Sequence, residues 1–304
     1  MTQFALTFQL IEKLLSLNHF DYQIPSDDFT FLAIRGAIPV DPNSHKDFYN
    51  SIELELKSVD CIHYRCTIMQ IHRKRISAFK GSTMPGKYWT SNPSNPNGVT
   101  RLLEGYHIFR QGFHNQSNES RRYAAFRQVS IFPLLRAKKN LPILNWDKDT
   151  LDFYNKGDIN LHYGKTQQIG KWSAGCQVIT TLNSMDIWSE FKNRVYTGRP
   201  DSNKTYSYFL FDGAYVANVA QASDDSLVNY KRILWGSRGD NVGNLQNKLI
   251  KLGYTEIGSV DNQYGKRTML YGVIPYQKKT FGNQYADGIV TQDIWHTMFD
   301  GDKM

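Results

Sequence analysis

The chain of 304 residues contains few cysteines, and Cys61, Cys66 and Cys176 are the complete set. So small and odd a number argues against the disulfide framework that stabilises small secreted proteins. Long hydrophobic runs are also missing: no stretch of about 18 apolar residues occurs, which excludes a transmembrane helix. The basic residues form no block longer than HRKR at 72–75, and aromatic residues do not alternate with them. We therefore expect neither a membrane span nor a nucleic-acid partner.

The N-terminal segment lacks the basic start of a secretory signal peptide, and polar side chains interrupt its apolar residues. We therefore expect synthesis in the cytoplasm without Sec export. The apolar residues Phe8, Ile11 and Leu14 recur at helical spacing. This spacing predicts an amphipathic helix within residues 1–25.

The composition is that of an ordinary folded protein with a basic surface. Hydrophobic residues make up 40% of the chain and charged residues 21%, which excludes a disordered chain. The formal net charge is +8, so long-range electrostatics favour an acidic partner such as an anionic cell-wall polymer. The aromatic share of 13% is high and falls in short β-like runs, as is typical of strand-rich cores and of sugar- or peptide-binding clefts.

Strand-like runs separated by Gly, Pro and Asn turns dominate the first three quarters of the chain. The runs predicted as strands are DFTFLAIRG, ISAFKGS, GKYWTS, LLEGYHIFRQGFH, YAAFRQVSIFPLL, INLHYG and YSYFLFDG. A helix is predicted over 183–194, where Ile187, Trp188 and Phe191 share a face. We therefore predict an α+β fold that is mainly β. Its predicted parts are an N-terminal helix at 1–25, a β-rich domain at 26–222, a linker at 223–231 and a helical domain at 232–304.

From residue 232 onward the pattern becomes helical. Val242, Leu245, Leu249 and Leu252 form an apolar stripe that ends at Gly253. The order G-x-x-G-x-x-V-x-x-L-Q-x-x-L-x-x-L-G-Y, D-x-x-Y-G-x-x-T, Y-Q and D-G-I-V-x-x-x-I-W resembles the peptidoglycan-binding domain of cell-wall hydrolases. The family's usual D-G-x-F-G is D-N-Q-Y-G in this chain. The resemblance covers 232–300 and implies a small three-helix bundle that binds peptidoglycan.

A second resemblance lies in the segment INLHYGKTQQIGKWSAGCQVI at 159–179. It resembles the signature of the L,D-transpeptidase catalytic domain, in which a strand carries a histidine and a glycine and Ser-x-Gly-Cys follows after a spacer. His162, Gly164, Ser173, Gly175 and Cys176 match that pattern. The resemblance implies an L,D-transpeptidase-like β-rich fold and a catalytic cysteine.

The chemistry of these residues agrees with such a role. A thiol with a pKa of about 8.5 is mostly protonated at neutral pH, so a nucleophilic cysteine needs a basic partner. His162 is the nearest histidine in sequence to Cys176. Gly175 leaves room for an acyl donor beside the sulfur, and the N–H groups of Gly175 and Cys176 are candidates for an oxyanion hole. Ser173 is expected either to support the loop or to hydrogen-bond the substrate.

Three departures from the family pattern bear on specificity. Ala174 stands where the family often has histidine, and Tyr163 separates His162 from Gly164. Gln177 replaces an arginine that is expected to bind a substrate carboxylate, which implies a different specificity or hydrolysis in place of transfer. The expected substrate-binding residues are Tyr163, Trp172, Ala174, Gln177, His107 and His114. The last two are predicted to line the cleft, pack within strands or orient His162.

The other two cysteines lie in CIHYRC, which allows three interpretations. Cys61 and Cys66 form a disulfide, join His63 and His72 in a metal cluster, or pack within a strand. Neither matches a zinc-ligand spacing, and alternating apolar residues favour a strand. We expect no metal site and no cofactor.

Together these features predict a cysteine enzyme that cleaves murein stem peptides at L,D bonds through a thioester, as a lytic enzyme or antibacterial effector. The alternatives are a true L,D-transpeptidase that forms cross-links, and a wall-binding protein without catalysis. Peptidoglycan is the expected partner. A holin or a secretion machine would deliver the protein to the cell wall, and an effector would also have an immunity protein.

Overall fold

The computed structural model describes residues 2–115, 118–137, 150–196, 204–300 and 304. These parts of the chain form a mixed fold with mainly β content and several helices. The predicted α+β class is therefore confirmed at this level. In the described ranges, no helix combines the length and the apolar composition needed to cross a bilayer.

The strands in chain order are β1 (Gln3–Thr7), β2 (Thr30–Arg35), β3 (Ala37–Pro39), β4 (Ser51–Leu56), β5 (Cys66–His72), β6 (Arg75–Ser82), β7 (Val99–Leu102), β8 (Gly105–His114), β9 (Tyr123–Gln128), β10 (Phe132–Ala137), β11 (Thr150–Tyr154), β12 (Asn160–Gly164), β13 (Gln177–Thr180), β14 (Thr205–Asp212), β15 (Arg232–Ile233) and β16 (Val290–Thr291). A closed barrel takes the strand order β12-β13-β6-β5-β2-β14-β8-β9. Smaller sheets have the orders β1-β4-β3, β11-β10-β7 and β15-β16.

The helices are α1 (Phe8–Leu17), α2 (Lys87–Ser91), α3 (Asp186–Asn193), α4 (Gly213–Gln221), α5 (Asp240–Lys251), α6 (Ile274–Phe281) and α7 (Gln292–Met298). Short 3₁₀ segments lie at Asp224–Tyr230, Thr255–Ile257 and Asn283–Tyr285, and a π-helical segment at Thr268–Val273 leads into α6. Helix α3 lies where the apolar spacing predicts it.

Several predicted elements differ from the structure, among them the run YAAFRQVSIFPLL, which forms the two strands β9 and β10. The N-terminal helix is shorter than predicted, because Gln3–Thr7 alternate between exposed and buried positions and pair with β4 as strand β1. The Thr7 hydroxyl accepts a hydrogen bond from the Leu10 N–H and so begins the helix. The run GKYWTS forms helix α2 and not a strand. Trp89 Nε1 donates to the Lys171 carbonyl, so this helix packs on the loop before Cys176.

The barrel buries an aromatic core that positions the strands. Phe31, Phe109, Phe126 and Tyr206 belong to one buried cluster inside it, and the Phe31 and Tyr206 rings stack with centroids 5.0 Å apart. A second cluster lies outside, where α1 and α4 cover the opposite faces of the same strands. Because side chains alternate along a strand, β2, β5, β6 and β14 contribute to both layers.

Residues 232–300 pack against the β-rich part of the chain. Val242, Leu245 and Leu249 are buried as the predicted stripe requires, whereas Leu252 is 45% exposed because it caps the end of α5. Leu103 and Leu135 belong to the same buried cluster as α5 and α7. The hydrophobic core of the C-terminal helices therefore continues into the β-rich part of the chain.

The predicted linker 223–231 holds the 3₁₀ segment Asp224–Tyr230, and buried polar contacts follow it. Arg232 is buried, and its guanidinium lies 3.1 Å from Glu104 Oε2 and 3.0 Å from Asn18 Oδ1. The Tyr106 N–H donates to the Trp235 carbonyl at 2.9 Å. These bonds join the segment that begins the C-terminal region to the barrel and to α1.

The remaining cysteines are free. Cys66 is buried in β5, 3.4 Å from Thr83 Oγ1, as expected for strand packing. Cys61 is half-buried in the turn before β5, outside any strand. The disulfide interpretation of CIHYRC is therefore wrong, and its strand interpretation is correct for Cys66 alone.

Candidate active site

Two histidines and one cysteine, side chains that can act as bases, nucleophiles or metal ligands, lie close together on the outer face of the barrel. His114 ends β8, His162 lies in β12, and Cys176 directly precedes β13. One ring nitrogen of each histidine and Cys176 Sγ all lie within 4.8 Å of one another. The structure thus brings His162 and Cys176 together, as the sequence predicts, and adds His114 from a distant strand.

The parallel pairing of β12 and β13 explains this proximity. Leu161 is in register with Gln177, and His162 with Val178. Leu161 points into the aromatic core of the barrel, so His162 points outward. The loop between the two strands returns the chain to the end of the sheet at which β12 begins, and β13 starts there directly after Cys176. Cys176 and Val178 belong to one small buried cluster.

The His162 ring is fully buried and held by its neighbours. Its Nδ1 lies 2.7 Å from the Tyr163 carbonyl oxygen and 3.2 Å from Tyr123 Oη. Because a carbonyl only accepts hydrogen bonds, Nδ1 carries the hydrogen and Nε2 presents a lone pair. Among the described residues, Nε2 has no hydrogen-bond partner. Burial, followed by the charge of His114, lowers the pKa of His162 to about 3, so the ring is a neutral base.

Cys176 is a neutral thiol at rest. It is 7% exposed, and its Sγ lies 3.5 Å from the Asp158 carbonyl oxygen, to which the thiol donates. Burial raises the pKa of Cys176 to about 11, although the backbone N–H of Asn160 favours the thiolate. The site therefore holds an uncharged thiol beside an uncharged imidazole.

Ser173 braces the loop that carries Cys176. Its hydroxyl is fully buried, accepts from the Gly175 N–H at 3.1 Å and donates to the Cys176 carbonyl at 2.8 Å. Of the two roles predicted for Ser173, the contacts match loop support. The Gly175 N–H, one of the two predicted oxyanion-hole donors, already donates to Ser173.

Gly175 is required by packing and by backbone conformation. Its φ of 144° lies in the region that favours glycine. A Cβ placed there would lie 1.9 Å from Thr100 Oγ1. The Thr100 hydroxyl and N–H both donate to the neighbouring Ala174 carbonyl, at 3.1 and 3.3 Å. Strand β7 therefore lies directly against the cysteine loop.

The predicted substrate-binding residues other than the histidines have three different surroundings. Ala174 lines the cleft beside Cys176. Gln177 is fully buried, donates to the Gly175 carbonyl at 3.3 Å and accepts from Tyr208 Oη at 2.9 Å, so it supports the loop and does not face the cleft. Tyr163 and Trp172 are half-buried and pack on each other with ring centroids 5.7 Å apart.

The two remaining predicted histidines have different surroundings. His107 is buried beside Phe132, and its Nε2 donates to the Leu103 carbonyl at 3.0 Å, so it packs within the strands away from Cys176. The His114 ring lies 4.4 Å from the His162 ring, centroid to centroid. Burial and then the charge of Arg127 lower the pKa of His114 to about 4. His114 alone of these two belongs to the site.

A cleft of about 250 Å³ opens at Cys176. Arg136 lies in its wall, is 6% exposed, and donates through Nε to Asp152 Oδ2 at 2.6 Å. Its guanidinium also lies over the Tyr154 ring, 5.4 Å from the centroid. A larger groove of about 640 Å³ lies elsewhere on the surface, near Pro42 and Lys57, and includes neither Cys176 nor His162. Within the described residues, the cleft at Cys176 is therefore the candidate site for presenting a substrate to the thiol.

The sequence pattern did not single out Tyr123, Asn160, Arg136 or Asp158 as members of this site. Tyr123 and Asn160 contact the two histidines, while Arg136 and Asp158 line the cleft. The one available signal was an arginine inside the apolar run FPLLRA, since a charged residue among buried strand positions needs a partner.

No family model, curated protein or solved structure matches this chain.

Proposed function

We propose that the chain is a peptidoglycan-directed cysteine peptidase of the L,D-transpeptidase type. The observation that carries this proposal is the placement of the Cys176 thiol within 4.8 Å of a neutral, buried His162 ring at the end of a cleft. The Tyr163 carbonyl fixes the Nδ1–H tautomer, so Nε2 is the basic atom. A nucleophile, a base and a group that orients the base are the parts that covalent catalysis requires.

The geometry supports a two-step reaction. Cys176 Sγ attacks the carbonyl carbon of a stem-peptide bond while His162 Nε2 accepts the thiol proton. The tetrahedral intermediate then collapses, and His162 returns the proton to the leaving amine. A water molecule next attacks the thioester and releases the shortened peptide and the thiol. Because both groups are neutral at rest, charge develops only during attack.

The cleft favours a substrate with a carboxylate near the scissile bond. Arg136 lies in its wall, where its Nε already donates to Asp152 Oδ2, and we assign to its guanidinium the carboxylate contact expected of the arginine after the cysteine. Gln177 cannot serve this role, because it is buried behind the loop. A stem peptide that ends in a D-amino acid carries such a carboxylate next to the L,D bond.

The C-terminal helices support attachment to the wall polymer. A polar groove of about 640 Å³ runs between α5 and α7 and is lined by Asn241, Asn244, Asn247, Lys248, Lys251, Trp295 and Phe299. Asparagine amides offer both donors and acceptors, and aromatic rings offer flat apolar faces, which suits a saccharide or a stem peptide. Tethering to the polymer would raise the local substrate concentration at Cys176. We propose a lytic or antibacterial role on a target cell wall.

Mass spectrometry of muropeptides tests the proposal. Purified protein is incubated with intact sacculi, and the released fragments are compared with those from an untreated sample. Shortened stems are the expected result. New cross-links would indicate transpeptidation instead, and unchanged fragments despite retention on the sacculi would leave only a wall-binding role.

A further inference from the structure

The trio of His114, His162 and Cys176 has the composition of a metal site as well as of a catalytic site. We propose that these three side chains bind one thiophilic divalent cation, with Zn²⁺ the best match, and leave its fourth position open. The binding itself does not depend on the proposed peptidase function. The observation behind it is the clustering of two imidazole nitrogens and one sulfur within 4.8 Å.

The donor set favours zinc among biological metals. Thiolate and imidazole ligands suit Zn²⁺, whereas Mg²⁺ and Ca²⁺ take oxygen ligands. Zinc binds nitrogen at about 2.0 Å and sulfur at about 2.3 Å in a tetrahedron, so two nitrogen ligands and one sulfur ligand lie roughly 3.3–3.5 Å apart. The three donors would therefore move together by about 1 Å. Three protein ligands with an open fourth position are typical of zinc sites that admit water or a substrate.

His162 is already oriented as a ligand. Metal-bound histidines donate their second ring N–H to a carbonyl or carboxylate, which fixes the ligating nitrogen. Here Nδ1–H donates to the Tyr163 carbonyl at 2.7 Å. Nε2 is buried and, within the described ranges, lacks a hydrogen-bond partner. A buried lone pair without a partner is a costly arrangement that a metal ion would satisfy.

Asn160 provides the matching support for His114. Its amide nitrogen lies 2.9 Å from His114 Nδ1, and its Oδ1 is buried without a partner among the described residues. Half a turn of the amide would let Oδ1 accept a hydrogen from Nδ1. The other ring nitrogen, Nε2, would then carry the lone pair needed for a metal bond. The same turn satisfies the unpaired oxygen.

Metal binding replaces the thiol proton of Cys176, which leaves to solvent, and no electron is transferred. The bound cation is coordinated by both Cys176 Sγ and the His162 nitrogen, so neither atom is then available for another reaction. If the proposed peptidase function holds, the metal-bound form cannot attack a peptide bond through Cys176. Metal occupancy and thioester chemistry would then be mutually exclusive states of one site.

Zinc and cobalt titrations of the full chain test the site without measuring activity. Chelator-treated protein should bind one Zn²⁺ per chain in competition with a chromogenic chelator. Co²⁺ should produce a thiolate-to-metal charge-transfer band in the unsubstituted protein, a readout that no variant's folding can affect. Absence of that band would overturn the proposal.

Matched variants locate the site. Cys176→Ser and His114→Gln should each weaken Zn²⁺ binding by about 100-fold or more, and Asn160→Ala by about 10- to 100-fold, as for a residue that orients a ligand. Cys61→Ser removes another free thiol and should leave both the affinity and the cobalt band unchanged. A band that survives Cys176→Ser but disappears in Cys61→Ser would place the metal elsewhere and contradict the assignment.

Discussion

Single residues decide whether the cysteine loop can form. Gly175 lies against Thr100, Ser173 ties the loop to itself through two hydrogen bonds, and Gln177 anchors it from behind. None of these three needs to touch a substrate. Their role is to hold Cys176 Sγ at one position relative to His162.

We expect Gly175→Ala to destabilise the protein by about 3 kcal/mol or more, since the new Cβ would meet Thr100 Oγ1 at 1.9 Å and φ is 144°. Gly170→Ala is a matched control: Gly170 has a φ of 51°, and a Cβ added there would meet its nearest atom at 3.7 Å. This substitution should lower the free energy of unfolding by only about 1 kcal/mol. Urea unfolding of both variants measures the difference. Equal losses would contradict the packing role of Thr100.

Cys176→Ala should abolish the release of shortened stems from sacculi while the protein remains folded, because only the sulfur atom is removed from its buried cluster. Cys61→Ala, at the half-buried cysteine outside the site, should retain full activity. Activity is measured by mass spectrometry of the fragments. Turnover by the Cys176→Ala variant would rule out the nucleophile assignment.

His162→Gln should lower the rate by roughly 100-fold or more, the usual effect of losing a general base. It should also slow alkylation of Cys176 by iodoacetamide, because glutamine cannot accept the thiol proton in place of the imidazole. His107→Gln is the comparison, since His107 contacts Leu103 and Phe132 and not the thiol. If His107→Gln produced both effects and His162→Gln neither, the base would be misassigned.

At the scale of elements, two assemblies carry the proposed function. Parallel strands β12 and β13 hold the nucleophile and the base, and β8 and β9 add His114 and Tyr123 from the adjacent side. Helices α5 and α7 form the polar groove on another surface. Chemistry and wall attachment are therefore assigned to different elements.

Replacing Asn244 and Lys248 by Ala should weaken retention on sacculi about 10-fold, because both line the groove between α5 and α7. The control replaces Lys278 and Lys279 of α6, which are exposed and lie outside the groove. This control removes at least as much positive charge. Sedimentation of bound protein with sacculi measures both, and equal losses would indicate nonspecific attraction to an acidic polymer.

At the scale of the whole molecule, buried histidines link folding to pH. Burial lowers the pKa of His107 to about 3, and burial followed by the charge of Lys231 lowers that of His19 to about 4. The unfolded chain binds protons at these positions below a pH of about 6.5, whereas the folded chain does not. Stability is therefore fully present above that pH and falls as the pH drops towards 4.

We expect the free energy of unfolding to fall between pH 7 and pH 5, with His107 alone contributing about 2 kcal/mol. In His107→Gln the free energy of unfolding should fall less between the same two pH values, whatever the variant's stability at pH 7. Urea unfolding at both values measures this difference of differences. An identical pH dependence in the two proteins would show that His107 titrates normally in the fold.

The local pattern of the sequence determined the class of fold and the central pair of the site. Strand-like runs predicted most of the barrel strands, apolar helical spacing predicted α3 and the buried stripe of α5, and the order of His162 and Cys176 predicted their meeting. These features depend on residues close together along the chain. A periodic pattern records them directly.

The tertiary structure alone decided which distant residues complete the site. His114, Tyr123 and Arg136 come from other strands, and their positions depend on strand order and register in the barrel and in the adjoining sheet. It also buries Gln177 behind the loop, away from the cleft, and places Ser173 Oγ where it accepts the Gly175 N–H. Neighbouring sequence does not encode contacts between distant strands, because they arise only when the sheet closes and its buried faces pack.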